Sequence, residues 1–288
     1  MDSRNAVARE PRRTISTMLE EDIHRKPIEI PKAPDIEKKR EYTSPIEIDT
    51  LIVGLYGLGH TFLHAEFGAK IEENSVFFIH ETDSKPVTNA THWTNKNIGV
   101  YFTIPDRPGQ GFLSFGFSIE EKAANIIADT ILKEIKPKKI IILDDLESYA
   151  YLVSTSLKKV PDEPALFYIV NSSIKRDEHL LLNNLIPYHT SPPAIIGLGA
   201  ALITHAEFYD IPCILFISIL GDGILSSHSL SAFIPVIDIE LNNKEKEKET
   251  SSKGPGKEDL FKMGKERQQA YSSVVRASVF GKGSSLFV

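Results

Sequence analysis

Between Ile46 and Leu241 the apolar residues gather into short unbroken runs, and polar turns divide one run from the next. Asp49-Thr-Leu-Ile-Val-Gly54 is the first, with the pattern of a buried strand. A glycine turn follows, Gly54-Leu-Tyr-Gly57-Leu-Gly59, and then a helix-like segment, Thr61–Lys70. Val76–Ile79 and Ile98–Thr103 read as strands through Val, Ile, Phe and Tyr, with a polar loop, Thr82–Asn97, between them. Ser118-Ile-Glu-Glu121 has the form of a capping box, with Ser118 as the cap. The helix it opens runs to about Lys136. Ala123, Ile127, Ile131 and Ile135 form its buried stripe, and Lys133, Lys136 and Pro137 supply the cations and the stop. Lys138–Leu143 is then a strand ending in Asp144-Asp145, and Ala165–Val170 is another. Pro193–Tyr209 is apolar nearly all round, so a buried helix is expected, and Ile211–Ile219 reads as a central strand.

Strands that are continuous apolar runs, alternating with helices, belong to a sheet covered on both faces. The expected fold class is α/β: a single domain, residues 46–241, with a parallel or mixed sheet covered by helices. Residues 1–45 are mixed in charge, contain Pro11, Pro27, Pro31, Pro34 and Pro45, and read as a disordered arm with one short helical piece around Ile15–Ile23. Residues 242–257 have no large apolar side chain and read as a charged flexible linker. Residues 258–288 read as a weakly amphipathic helix, about Glu258–Phe280, followed by a Gly/Ser stretch and the apolar end Leu286-Phe287-Val288.

Composition narrows the classes of function. The net charge of −6 disfavours nucleic acid as a partner. The one cysteine, Cys213, closes no disulfide within the chain and reads as a small core hydrophobe. The longest apolar stretch, Pro193–Leu220, is interrupted by His205, Glu207, Asp210 and Pro212, so no membrane span is expected. The first residues have no apolar core of a signal peptide, so the expected compartment is the cytoplasm, with the nucleus also open.

Four groups of residues invite chemistry. The strand, glycine turn and helix at Leu51–Lys70 resemble a dinucleotide fingerprint, with Glu81 placed for a ribose hydroxyl, but the glycines are spaced G-x-x-G-x-G rather than G-x-G-x-x-G. A tight structural crossover accounts for them better. His60 and His64, four apart, share a helix face as zinc ligands do, yet the glutamate of H-E-x-x-H and a third ligand are missing. Asp144-Asp145 at a strand end suit magnesium or a general base, or else a turn or helix cap. Outside these groups, His205 and Glu207 fall in the helix expected to be buried, where a histidine is more often a satisfied core residue than a base. No catalytic residue, metal site or cofactor is expected.

The fourth group is the end of the chain. Leu286, Phe287 and Val288 are unfavourable in water unless something receives them, and the terminal carboxylate adds a charge at fixed reach from the ring. They either dock on their own domain, or fray, or enter a partner's pocket offering a lysine and an apolar slot.

The turn Gly54-Leu-Tyr-Gly57-Leu-Gly59 and the block Pro192-Pro-Ala-Ile-Ile-Gly-Leu-Gly-Ala-Ala-Leu-Ile-Thr-His-Ala-Glu-Phe-Tyr-Asp-Ile-Pro-Cys-Ile-Leu-Phe-Ile217, in that order, resemble the proteasome assembly chaperone superfamily over Asp49 to Leu241. The resemblance implies a chaperone for 20S proteasome assembly, not an enzyme. It implies that the chain binds proteasome α-subunits and forms a heterodimer with a partner similar to proteasome assembly chaperone 2. It implies a structural glycine turn without nucleotide, and a C-terminal hydrophobic–tyrosine–any-residue motif that docks between neighbouring α-subunits. Leu286, Phe287 and Val288 fall on the three motif positions, and Phe287 lacks the tyrosine hydroxyl. The alternative is a nucleotide- or nucleoside-using α/β enzyme with Gly54–Gly59 around a phosphate.

Overall fold

Apolar strands this continuous need cover on both faces, and the computed structural model supplies it. The structure describes residues 31–80, 97–147, 166–174, 186–187, 195–220 and 227–237. In chain order the elements are β1 (Asp35–Lys38), β2 (Ile46–Gly54), α1 (Leu58–Asn74), β3 (Ser75–His80), β4 (Asn97–Thr103), β5 (Gln110–Phe115), α2 (Glu121–Glu134), β6 (Ile135–Glu147), β7 (Leu166–Val170), β8 (Ile186–Pro187), α3 (Gly197–Phe208), β9 (Cys213–Leu220) and α4 (Ser227–Ser231).

The strands form one sheet in the order β1-β3-β4-β5-β2-β6-β9-β7-β8. Its centre, β5-β2-β6-β9, is parallel. The flanks are antiparallel except for the parallel pair β7-β8. The fold is therefore α/β with a mixed sheet, as the apolar runs imply. Pairing sets Phe102, Phe112, Ile52, Ile141 and Ile214 side by side on one rung. That rung belongs to the core beneath α1 and α4, with Leu58, Phe62 and Phe233. One residue away, Leu51, Ile140 and Cys213 face the other core, beneath α2 and α3, with Ile127, Ile131 and Leu202. Period-two alternation sends each side of every central strand into its own hydrophobic layer.

Several expectations need correction. The arm expected to reach residue 45 holds β1, which pairs with β3; Ile36 and Tyr42 pack on the core, and the Tyr42 ring lies 5.8 Å from that of Phe77. Tertiary contact outweighs the low strand propensity of this proline-flanked stretch. The capping box is not formed: Glu120, not Ser118, is the N-cap of α2, and no side chain bonds the cap. The buried stripe of α2 is Ala124, Ile127, Ala128, Ile131 and Leu132, and Ile135 already begins β6. Strand β5 was not among the expected strands; its Gly111 allows the Tyr101 side chain to lie against it, 2.5 Å from where a Cβ would stand. Helix α3 is not buried all round: Phe208 is 81 % exposed, and Glu207 is exposed too. Among the described residues no helix is long and apolar enough to cross a membrane. The segment around Ile15–Ile23 and residues 238–288 lie outside the described residues.

The sharpest packing constraint is the start of α1. A Cβ on Gly59 would overlap the carbonyl oxygen of Leu143 in β6, and Gly57 has φ +102°. Gly68, inside the same helix, has open space around it. Gly59→Ala is expected to cost about 3 kcal/mol through overpacking, and Gly68→Ala to gain about 0.5–1 kcal/mol through helix propensity. Urea denaturation of both variants checks this, and equal midpoints would contradict the close approach.

Candidate functional site: the carboxyl end of the sheet

Helices α1 and α2 start at the carboxyl ends of β2 and β5, and the start of α3 joins them in lining one crevice with Asp144 of β6. Three helix starts, with the positive ends of their dipoles, therefore gather at one end of the sheet. The sequence answers them with carboxylates. Asp145 Oδ1 accepts a hydrogen bond of 2.6 Å from the Leu58 N–H, at the first turn of α1. Gly57 must lack a side chain for this, because its Cβ would collide with that same oxygen. Glu120 and Glu121 stand at the start of α2. Asp144 Oδ1 accepts the Asp145 N–H at 2.9 Å, and its Oδ2 is directed at the start of α3, 3.0 Å from where a Cβ on Gly199 would stand.

Burial dominates the electrostatics here. It lifts the Asp144 carboxyl to about 7, with the Asp145 charge adding to the rise and the Asp145 N–H opposing it. It lifts Asp145 to about 6, against the stabilising Leu58 N–H. A crevice of about 310 Å³ opens beside Asp144, walled by Tyr56, Phe117, Ile119 and Ile196. At the opposite end of the sheet a broader, more open groove of about 510 Å³ passes Tyr42, Ile46 and Tyr101.

The glycine turn does not hold a phosphate in this geometry. Gly54 and Gly59 bring the turn against itself, with a Cβ on Gly54 2.5 Å from the Gly59 carbonyl oxygen. The Leu55 N–H donates to the Leu143 carbonyl at 3.0 Å. The anion position at the start of α1 is already filled by Asp145, whose charge repels a second anion. Asp145 thus does helix-cap work, though for α1 rather than for a helix following β6.

His60 and His64 do share a face of α1, with ring centroids 4.3 Å apart. His60 is buried, and its Nδ1 lies 2.8 Å from Ser114 Oγ. Burial holds His60 well below its ordinary value, with the His64 charge adding to the effect, and holds His64 at about 4. Among the described residues no group of three His, Cys, Asp or Glu side chains converges as a metal site would require. His205 is half-buried beside Tyr209, and Glu207 accepts the Ser172 N–H at 2.8 Å and the Ser172 hydroxyl. Cys213 is fully buried, which pushes its thiol up to about 12. Glu81, Leu286, Phe287 and Val288 lie outside the described residues. The crevice itself was not foreseen; its traces in the sequence are Tyr56 inside the glycine turn and the Gly197-Leu-Gly199 start of α3.

No protein-family model matches the sequence. No curated protein matches it. Solved structures do. A protein with unknown function from Thermoplasma acidophilum superposes with a TM-score of 0.54 at 13% identity, covering 81% of this chain and 87% of that one. Pyrococcus furiosus PbaB, an archaeal proteasome activator, gives 0.54 at 13% identity over 84% of this chain and 99% of that one. Pyrococcus furiosus PbaA, an archaeal homolog of proteasome-assembly chaperone, gives 0.51 at 14% over 85% and 100%. The chain has the fold of these archaeal proteins.

The buried acids and the buried histidines pull stability in opposite directions with pH. Asp144 has a folded value, about 7, above its ordinary 3.8, so its burial costs stability as pH rises from 3.8 to 7 and in full above 7. His64 has a folded value, about 4, below its ordinary 6.5, so stability is lost as pH falls from 6.5 to 4. Asp144→Asn is therefore expected to raise stability by roughly 2–4 kcal/mol above pH 7 and to leave it unchanged near pH 4. The variant loses stability on acidification through the histidine window more steeply than the wild type. Chemical denaturation across this range checks both, and a destabilised variant at neutral pH would contradict the assignment.

Proposed function

We propose that this chain is a non-enzymatic chaperone for 20S proteasome assembly, of the kind of proteasome assembly chaperone 1. In this reading its α/β domain pairs with a homologous partner similar to proteasome assembly chaperone 2, and the pair sits on the outer face of the α-subunit ring in the cytoplasm, with the nucleus as a second compartment. The observation that carries the reading is the fold shared with PbaA and PbaB over essentially the whole of those two chains. Two further features support it. The glycine turn and the 192–217 block that carry the family resemblance have structural work in this chain: the first seats α1 on β6, and the second supplies α3 and most of β9. The anion position that a nucleotide-using enzyme would need at the glycine turn is taken by Asp145.

In this proposal Leu286 and Phe287 enter an apolar slot between neighbouring α-subunits, and the Val288 carboxylate pairs with a lysine there. The charged segment 242–257 gives the tail reach, and docking of the domain raises the tail's effective concentration. Deleting Leu286–Val288 from the full-length chain is expected to remove its co-purification with 20S precursors. Phe287→Tyr is expected to tighten it about fivefold by restoring one hydrogen bond. Undiminished co-purification of the truncated chain would contradict the anchor, and a thermal shift with ATP or NAD that survives the truncation would favour the enzyme.

A further inference from the structure

Among the described residues, no cationic side chain meets Asp144 in the crevice. Asp144 is half-buried, and part of it stays accessible from the crevice that it lines. One of its oxygens accepts the Asp145 N–H, and the other, Oδ2, accepts no hydrogen bond among the described residues. Glu120 and Glu121 stand at the rim, and Glu120 pairs at 2.8 Å with the exposed Lys122. No Lys, Arg or His is among the described residues that line the crevice. A half-buried carboxylate with no cationic partner among the described residues is costly, and the starts of α1 and α2 already carry the carboxylates of Asp145, Glu120 and Glu121. An anion is therefore a poor occupant and a cation a good one.

The walls specify which cation. Tyr56 and Phe117 offer aromatic faces, Ile196 an aliphatic one, and the crevice of about 310 Å³ is at the lower end of what a small-molecule site needs. A flat guanidinium on an aliphatic stem suits such a slot, because it stacks on rings and meets a carboxylate with paired donors. Tyr56 is 54 % exposed and Ile196 61 % exposed, so large apolar surface flanks the mouth. That surface asks for a covering body larger than a metabolite. We propose that this crevice receives an arginine side chain presented by a protein partner, with Asp144 as its counter-charge. The inference is independent of the C-terminal tail and of which protein the partner is.

Two experiments on the full-length chain test it. The first titrates N-acetyl-argininamide at about pH 8, above the value to which burial lifts Asp144, and follows backbone NMR shifts. Saturable millimolar binding centred on Tyr56, Phe117 and Asp144 is expected. The neutral citrulline analogue and the Asp144→Asn variant should each bind about tenfold more weakly or worse, since a charged hydrogen bond is lost. A thermal midpoint for Asp144→Asn at or above the wild type shows that the variant is folded. Equal binding by citrulline, an undiminished Asp144→Asn, or no saturation overturns the site. Spermidine binding about tenfold more tightly than the arginine probe would make the occupant a free polyamine and overturn the protein partner. The second experiment installs p-benzoylphenylalanine in place of Tyr56 and irradiates cells. A cross-linked peptide containing arginine, lost when Asp144→Asn is added, is expected. Adducts that Asp144→Asn leaves undiminished, or none with protein, overturn it.

Discussion

The contact on which this end of the molecule depends is the seating of α1 on β6. The Leu58 N–H donates to Asp145, the Leu55 N–H donates to the Leu143 carbonyl, and Gly59 lies against that same carbonyl with no room for a side chain. Through it the first helix is locked to a strand far along the chain, and β2 and β6 are held in register from Ile46↔Ile135 to Gly54↔Leu143. The parallel centre and the two hydrophobic layers build outward from that pair, because each rung passes from β2 to β5 on one side and from β6 to β9 on the other.

The same contact decides the chemistry of the carboxyl end. Open α/β sheets commonly bind ligands there, and helix starts favour anions. This chain answers its helix starts with its own acids and buries two of them at the cost of raised proton affinity. The glycine turn is thereby a structural joint. What remains is a small crevice lined by Tyr56, Phe117 and Asp144, with exposed apolar flanks.

The central strands were legible because continuous runs such as Ile140–Leu143 and Ile214–Phe216 have no other stable home than a doubly covered sheet. The flanks were less so. Strand β1 is held by pairing with β3 and by Ile36 and Tyr42 on the core, which no local pattern announces. Strand β5 was not foreseen, and the meaning of its Gly111 is set by Tyr101 on the neighbouring strand. Helix α3 looked buried because its residues are apolar nearly all round, and the exposed Ile196 and Phe208 emerge only once its neighbours are placed. At the site, Asp144-Asp145 and the glycines were each visible as residues, but their meeting depends on β2 and β6 lying side by side, with Leu58 and Asp145 87 positions apart. The tail residues were singled out for their chemistry and for the family motif they resemble.

The central functional claim is that the proteasome α-ring is what this protein holds. Affinity capture of the full-length tagged chain from cells, with mass spectrometry of the bound proteins, tests it most directly. The account predicts enrichment of proteasome α-subunits together with one homologous chaperone. Capture with α-subunits at background, while the protein is folded and expressed, would contradict it.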